Sequence, residues 1–232
     1  MEINYLEGRF MKKKNVAIVL SGCGHLDGTE IREAVLTLLE CDRRGLKYEF
    51  FAPSKEIEEV DHSSGGETGR LRNSLTEAAR ISRGRVKDID QLKGEDFEGL
   101  IFPGGFGAAK VLCDFAVKGK EMEVLPRVEE VILEFHRRRK PIVAICIAPV
   151  LLARVLSRHR PLVTVGQDKQ CAEVMRAWGA GHENTPARGA IFDDKNRLAT
   201  TAAYMLEAPL HEMHEGISKS LDRFQFWMEN QS

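Results

Sequence analysis

Short apolar runs alternate with longer amphipathic segments along most of the chain, and this alternation constrains the fold more than any other feature of the sequence. The runs that predict buried strands are residues 16–20, 48–51, 100–102, 142–145, 162–165, 190–192 and 198–200. The segments that predict helices are residues 30–43, 73–82, 123–138, 148–156, 169–178 and 207–228. Strands and helices that alternate in this way indicate an α/β fold of three layers, with a mostly parallel sheet between helices on both faces.

No linker or internal repeat divides the chain, so we predict that residues 11–232 form a single domain. The chain has 232 residues, of which 43% are hydrophobic, and this is enough to enclose one core. Residues 1–10 lack the alternating pattern and are followed by a second methionine, Met11. We therefore expect an N-terminal extension over residues 1–10, for which a non-native origin is one interpretation.

The balance of charges argues against nucleic acid and membranes as partners. The formal net charge is −1, and no basic stripe is interleaved with aromatic residues. The apolar run before Cys23 is too short for a secretory signal, which needs about 7 to 15 apolar residues, or for a membrane span, which needs about 20. A small-molecule substrate is therefore the expected partner.

The cysteines predict a reducing compartment. They are odd in number and contain no close Cys-x-x-Cys pair, which argues against a disulfide framework and against a zinc cage. The five positions are Cys23, Cys41, Cys113, Cys146 and Cys171. We therefore expect a cytoplasmic protein that holds no metal.

Cys146 stands where a catalytic nucleophile would stand in a fold of this kind. It ends the apolar run 142–145 and is followed at once by a helix-like stretch, with the small residues Ala144 and Ala148 on either side. A strand, a sharp turn and a helix hold such a residue at the carboxyl edge of the sheet, where the helix N-terminus favours a thiolate. The alternative is a buried structural cysteine, since free cysteine is among the most buried residue types.

Three loops should meet at the carboxyl ends of the predicted strands, where ligands bind in sheets of this type. They are residues 21–30, residues 103–107 and the turn at Cys146, so Cys23 and Phe106 are candidate binding residues. Gly104 and Gly105 permit a turn that points backbone amides into a cavity, as stabilisation of an oxyanion requires. A plain glycine turn is the alternative interpretation.

Glu30 is the candidate acid–base residue, because it lies at the start of the first predicted helix within one of these loops. Asp27 and Glu30 also have the spacing of a capping box, in which the glutamate only closes the helix N-terminus. The sequence leaves both interpretations open.

Residues 62–69 form a glycine- and serine-rich stretch that contains His62 and Glu67. Such a stretch is typical of a mobile lid, which would bring His62 or Glu67 over the pocket. An ordinary surface loop is the alternative.

The residues in these loops resemble those of a known family. The matching motifs are residues 21–24, 27–31, 102–110 and 146–149, and the resemblance covers nearly everything after Met11. They are similar to the ElbB family, also called isoprenoid-biosynthesis or lycopene-enhancing proteins. That family belongs to the class I glutamine amidotransferase-like superfamily, in the branch related to PfpI.

The resemblance implies a flavodoxin-like sandwich in which Cys146 is the nucleophile at the elbow. It also implies that Glu30 is hydrogen-bonded to the sulfur of Cys146, and that the amides of Gly105 and Ile147 are oxyanion donors. The superfamily makes a homodimer the expected assembly. The chain departs from related enzymes because it has Ile147 where PfpI-like members have histidine, and because no His-x-Glu pair follows.

These departures argue against glutaminase and protease activity. The expected function is a cofactor-independent glyoxalase that converts glyoxal or methylglyoxal into a hydroxy acid through Cys146 and Glu30. One alternative is a non-catalytic, redox-sensing or regulatory protein linked to isoprenoid biosynthesis, in which Cys146 is oxidised. Another is an amidohydrolase or amidotransferase-like enzyme that receives a histidine from a partner chain.

Overall fold

The structure is a computed structural model, and it describes residues 14–230. Its strands are β1 (Asn15–Val19), β2 (Lys47–Ala52), β3 (Glu56–Val60), β4 (Glu67–Asn73), β5 (Val86–Asp88), β6 (Gly99–Phe102), β7 (Ile142–Ile145), β8 (Leu162–Val163), β9 (Gly181–His182), β10 (Ile191–Asp193) and β11 (Leu198–Thr201). Its α-helices are α1 (Ile31–Arg43), α2 (Ser74–Ser82), α3 (Phe106–Lys110), α4 (Phe115–Lys118), α5 (Pro126–Arg137), α6 (Pro149–Val155), α7 (Lys169–Ala177) and α8 (Leu210–Glu229).

A seven-stranded sheet lies at the centre, in the order β10-β11-β7-β6-β1-β2-β5. Neighbouring strands are parallel, except that β10 runs antiparallel to β11. Helices surround this sheet, with α1 packed on α8 and α5 packed on α6. This architecture confirms the predicted flavodoxin-like α/β fold with a mostly parallel sheet.

The inner strands are buried on both sides, which is why they are continuous apolar runs in the sequence. Every residue of β6 and β7 is buried. These two strands and β1 are neighbours in the sheet, so the loops at their carboxyl ends meet at one edge. The three loops singled out in the sequence follow these three strands.

Residues 162–165 do not join the central sheet as predicted. Only Leu162 and Val163 are in a strand, which pairs with β9. The backbone amide of Thr164 instead donates to the Thr200 hydroxyl (3.0 Å), and that of Val165 donates to His182 Nε2 (3.2 Å). Side chains thus satisfy the backbone groups that a sheet neighbour would have bound.

The sequence prediction missed an antiparallel hairpin formed by β3 and β4. Strand β4 is mostly exposed and polar, so it lacks the apolar pattern that reveals a buried strand. The stretch 62–69, considered as a lid, is the turn of this hairpin and the start of β4. The hairpin contacts α2 and the loop that follows β1.

The proposed N-terminal extension, residues 1–10, lies outside the described residues. Within residues 14–230, no helix combines the length and the apolar character that crossing a bilayer requires.

Candidate functional site

Cys146 lies in a tight turn between β7 and α6. Its φ angle is 62°, in the left-handed region that non-glycine residues rarely adopt, at a cost of about 1–3 kcal/mol. Its backbone amide donates to the Thr201 carbonyl of β11 at 2.9 Å. Ala144 and Ala148 on either side are fully buried, so the turn closes against the core without large side chains.

The Cys146 sulfur is enclosed by polar groups from two other segments. The amides of Gly105 and Ile147 donate hydrogen bonds to it, and the carboxyl group of Glu33 is hydrogen-bonded to it as well. Burial, followed by the negative charge of Glu33, raises the pKa of the Cys146 thiol well above its ordinary value, while the two amides act to lower it. The two amides that were predicted as oxyanion donors therefore point at the Cys146 sulfur.

Glu33 is the acidic partner of Cys146. It is fully buried on α1, where its Oε2 accepts from the Gly104 amide (2.9 Å) and its Oε1 accepts from the Tyr204 amide (3.2 Å). Burial, followed by the charge of Glu30, raises the pKa of Glu33 to about 8. At neutral pH its carboxyl group is therefore largely protonated and able to donate to the sulfur.

The hydrogen bond to sulfur that was expected from Glu30 is made by Glu33 instead, and that expectation was wrong. Glu30 is the N-cap of α1: its Oε2 accepts from the Glu33 amide at 2.6 Å. Asp27 does not share in this cap, because its carboxylate accepts from the Val60 amide (2.9 Å) and from Arg72 (2.5 Å). Glu30 therefore serves the helix terminus that carries the acidic residue one turn further on.

A cavity of about 340 Å³ opens onto Cys146. It is lined by residues from all three predicted loops and from the segments that follow α3, β8 and β11: His25, Glu30, Gly105, Phe106, Ala109, Phe115, Ala116, Cys146, Ile147, Asp168, Cys171, Tyr204 and Met205. Four of the predicted binding or catalytic residues besides Cys146 thus lie together. Gly104 does not line the cavity, but its backbone amide donates a hydrogen bond to Glu33.

The other predicted residues lie beside this cavity. Cys23 and His62 line a neighbouring groove of about 610 Å³ between the β1 loop and the hairpin. Glu67 lines neither space. The role of His62 or Glu67 as a lid stays a prediction.

The hairpin holds the loop that carries His25 and Glu30. Arg72 of β4 binds Asp27 of that loop and also Glu77 of α2 (2.7 Å). His62 Nε2 accepts from the Leu26 amide (3.2 Å), and its ring packs edge-on against His25 with centroids 4.9 Å apart. The position of the cavity wall at His25 therefore depends on the hairpin.

Glu33, His25 and Tyr204 are among the site residues that sequence reasoning missed. A signal for Glu33 exists, because it lies on the same face of α1 as Ala34, Thr37 and Cys41, which are all buried. A carboxyl group on the buried face of a helix needs a partner, and this could have directed attention to it. Tyr204 offers no such signal, since its contact with Glu33 is made by its backbone.

We expect Gly105→Ala to lower the free energy of unfolding by about 2 kcal/mol or more. Gly105 has a φ angle of 93°, and a Cβ atom there would overlap the Glu30 amide nitrogen and the Gly28 carbonyl oxygen. Urea unfolding of the two proteins measures the change. Gly45→Ala is the matched control, because Gly45 has a φ angle of 63° but no atom within 4 Å of the added Cβ. An equal loss in both variants would contradict the crowding at Gly105.

Comparison with known proteins finds relatives that match most of the chain. Models of protein families give no match. The chain is 45% identical over 213 residues to the human "Glutamine amidotransferase-like class 1 domain-containing protein 3, mitochondrial", covering 87% of this chain and 79% of the relative. It is 43% identical over 216 residues to the "ES1 protein homolog, mitochondrial" of Rattus norvegicus, covering 88% and 80%.

These names contradict the cytoplasmic location predicted above, because the relatives are called mitochondrial. The prediction was wrong because unpaired cysteines indicate reducing conditions and do not distinguish the compartments that share them. All five cysteines are free in the structure.

Solved structures agree with the sequence relatives. An isoprenoid biosynthesis protein with an amidotransferase-like domain from Ehrlichia chaffeensis is 36% identical, has a TM-score of 0.85, and is matched over 92% of this chain and 99% of that one. DJ-1beta of Drosophila melanogaster, at 15% identity and a TM-score of 0.52 over 94% of this chain and 97% of that one, shares the fold alone. On the identity and coverage of its sequence relatives, this chain belongs to the family of glutamine amidotransferase-like class 1 domain proteins that includes the ES1 proteins.

Proposed function

We propose that this protein is a cofactor-independent glyoxalase that converts small dicarbonyls such as glyoxal and methylglyoxal into hydroxy acids. The observation that carries the proposal is the pairing of the Cys146 sulfur with a protonated Glu33 and two backbone amides at the wall of a cavity. This set supplies a nucleophile, a proton carrier and an oxyanion site. The motifs shared with the ElbB family and the similarity to the Ehrlichia protein support the finer placement of the chain in that family.

Addition of sulfur to the aldehyde is the first step. The pair reacts with one proton between its two groups, and that proton passes from the Cys146 thiol to the Glu33 carboxylate as the sulfur attacks. The sulfur bonds to the aldehyde carbon, and the carbonyl π electrons move to the oxygen beside the amides of Gly105 and Ile147. Glu33 then gives its proton to that oxygen, which leaves a neutral hemithioacetal and a Glu33 carboxylate.

Proton transfer between the two carbons is the second step, and the same carboxylate performs it. Glu33 takes the proton from the former aldehyde carbon and gives it to the neighbouring carbonyl oxygen, which forms an enediol. It then moves the first hydroxyl proton to the second carbon, and a thioester of Cys146 results. One carbon is oxidised and the other reduced, so the conversion needs no external oxidant or reductant.

Hydrolysis of the thioester completes the cycle. Water adds to the acyl carbon, the Cys146 thiolate leaves, and Glu33 recovers a proton from the water. The hydroxy acid departs as its anion, with one proton released to solvent. The chemistry assigned here to Glu33 is the role that the sequence analysis gave to Glu30.

The two rival functions have less support from the geometry. Peroxide oxidises cysteines selectively at exposed positions, whereas Cys146 is 7% exposed. An amidohydrolase needs a base beside the thiol, and the histidine that lines the cavity, His25, is not hydrogen-bonded to Cys146. The homodimer stays a prediction.

The experiment that tests the proposal is turnover of methylglyoxal by the purified protein in D₂O, without glutathione or added metal. We expect lactate in which carbon 2 carries deuterium, because the proton delivered to that carbon comes from the first hydroxyl group, which Glu33 has supplied from a carboxyl group that exchanges with D₂O. Lactate formation no faster than in buffer would overturn the proposal. Release of ammonia from glutamine under the same conditions would favour the amidohydrolase instead.

A further inference from the structure

We infer that the cavity selects 2-oxoaldehydes that carry an uncharged aromatic or apolar group, such as phenylglyoxal, over glyoxal, methylglyoxal and anionic carbonyls. This inference rests on the proposed function, since it names the substrate class of the same site. Three properties of the cavity support it: its size, the chemistry of its walls and the charges around it.

The cavity is larger than the smallest dicarbonyls need. Its volume is about 340 Å³. At the roughly 30 Å³ that each water molecule has in the liquid, the five non-hydrogen atoms of methylglyoxal would take about 150 Å³. Phenylglyoxal, with about twice as many atoms, would fill most of the space by the same measure.

Apolar side chains form much of the wall. Phe106, Phe115 and Met205 supply two aromatic rings and a thioether, with Ala109 and Ala116 between them. The ring of Phe115 is held edge-on by Trp178 at 6.0 Å, which fixes it in place. Phe106 is 49% exposed, so a substrate ring that covers it would gain hydrophobic and aromatic contact.

The charges around the cavity disfavour an anionic substituent. Glu30 and Asp168 both line it, whereas no lysine or arginine does among the described residues. Two cations that contact wall residues are hydrogen-bonded to neutral groups, and one of them, Lys110, lies over the Phe106 ring at 5.6 Å. Arg32 donates to the Tyr204 hydroxyl at 3.1 Å, and Lys110 donates to the Leu26 carbonyl at 3.2 Å. A carboxylate that enters would lose its hydration and meet two like charges.

The test compares kcat/KM for glyoxal, methylglyoxal, phenylglyoxal and 4-carboxyphenylglyoxal. Each value is divided by the rate constant for addition of free 2-mercaptoethanol to the same aldehyde, which removes differences in intrinsic reactivity. We expect the normalised value for phenylglyoxal to exceed those for glyoxal and methylglyoxal by about tenfold or more. The carboxylated analogue should fall about tenfold below phenylglyoxal.

Two variants test whether Phe106 and Asp168 select the substrate. Each variant is judged by the ratio of kcat/KM between two substrates. Phe106→Ala should lower the ratio of kcat/KM for phenylglyoxal to kcat/KM for glyoxal, since it removes the ring that the substrate covers. Asp168→Asn should raise the ratio of the carboxylated analogue to phenylglyoxal, because asparagine can keep the N-cap of α7 while it removes a charge.

The outcomes separate this inference from the proposed function. Equal normalised values, or glyoxal as the preferred substrate, would overturn the inference and leave the glyoxalase proposal standing. Turnover of none of the four aldehydes would overturn both. Unchanged ratios in the two variants would overturn the roles of Phe106 and Asp168 in selection.

Discussion

Replacement of Cys146 by serine is expected to lower kcat/KM for methylglyoxal by about a thousandfold or more. A serine hydroxyl has nearly the size of the thiol, so the turn and the amides of Gly105 and Ile147 should keep their places. It is far less acidic and less nucleophilic, however, so transfer of its proton to Glu33 and attack on the aldehyde should both become much slower. Steady-state lactate formation measures the loss, and circular dichroism checks that the fold is kept.

Cys113→Ser is the matched control for this substitution. Cys113 is also buried, and its sulfur is hydrogen-bonded to the Ala108 carbonyl (3.3 Å), a contact that a serine hydroxyl can make. It does not line the Cys146 cavity. We expect activity near that of the wild type. Activity that survives in Cys146→Ser would exclude sulfur as the nucleophile and with it the mechanism proposed above.

Glu33→Gln is expected to lower kcat by about a hundredfold or more, because glutamine cannot carry the proton between the two carbons. The loss should appear in kcat more than in KM, since Glu33 acts on bonds that change during the reaction. In the wild type the two carboxyl oxygens of Glu33 accept hydrogen bonds from the backbone amides of Gly104 and Tyr204. Glutamine replaces one of these oxygens by an NH₂ group, which cannot accept. One of those hydrogen bonds is lost, at a cost of about 1 kcal/mol at pH 5.

The same variant should change how stability depends on pH. The pKa of Glu33 is about 8 in the folded protein against an ordinary pKa of 4.5 for a solvated glutamate, so the folded state holds this proton more tightly. Its contribution to stability is full below pH 4.5 and is lost as pH rises toward 8. Glutamine has no such titration. The stability of Glu33→Gln relative to the wild type should therefore increase between pH 5 and pH 9, by a few kcal/mol at most.

Urea unfolding at pH 5, 7 and 9 measures this difference. Glu58→Gln is the control, because Glu58 is exposed on the hairpin and its charge is solvated. We expect its pH profile to follow the wild type. A Glu33→Gln profile that also follows the wild type would show that the Glu33 carboxyl does not titrate in this range.

The sequence predicts the sheet and the turn at Cys146 because both leave local signals. A strand buried on both faces is a continuous apolar run, and the elbow follows directly from the end of one. The exposed hairpin leaves no such signal, since β4 is mostly exposed and polar and the hairpin is held by contacts with α2 and with Asp27. Its absence from the prediction follows from that physical difference.

The choice between Glu30 and Glu33 shows where local reasoning ends. The two carboxylates lie less than one turn apart, so sequence spacing alone cannot say which faces the sulfur. The choice is made by distant backbone groups, since the amides of Gly104 and Tyr204 hold Glu33 on the inner side of α1. Glu30 is left at the helix terminus, where its carboxylate caps the Glu33 amide.

The hydrogen bond from the Cys146 amide to the Thr201 carbonyl has a consequence for biosynthesis. During translation Cys146 leaves the ribosome more than fifty residues before Thr201, and Tyr204 follows later still. A nascent chain that has not yet reached β11 therefore carries Cys146 without its backbone anchor and Glu33 without one of its amides. The thiol acquires its reactive surroundings only when the C-terminal quarter of the chain has joined the sheet, so incomplete chains should react with carbonyl compounds as ordinary thiols do.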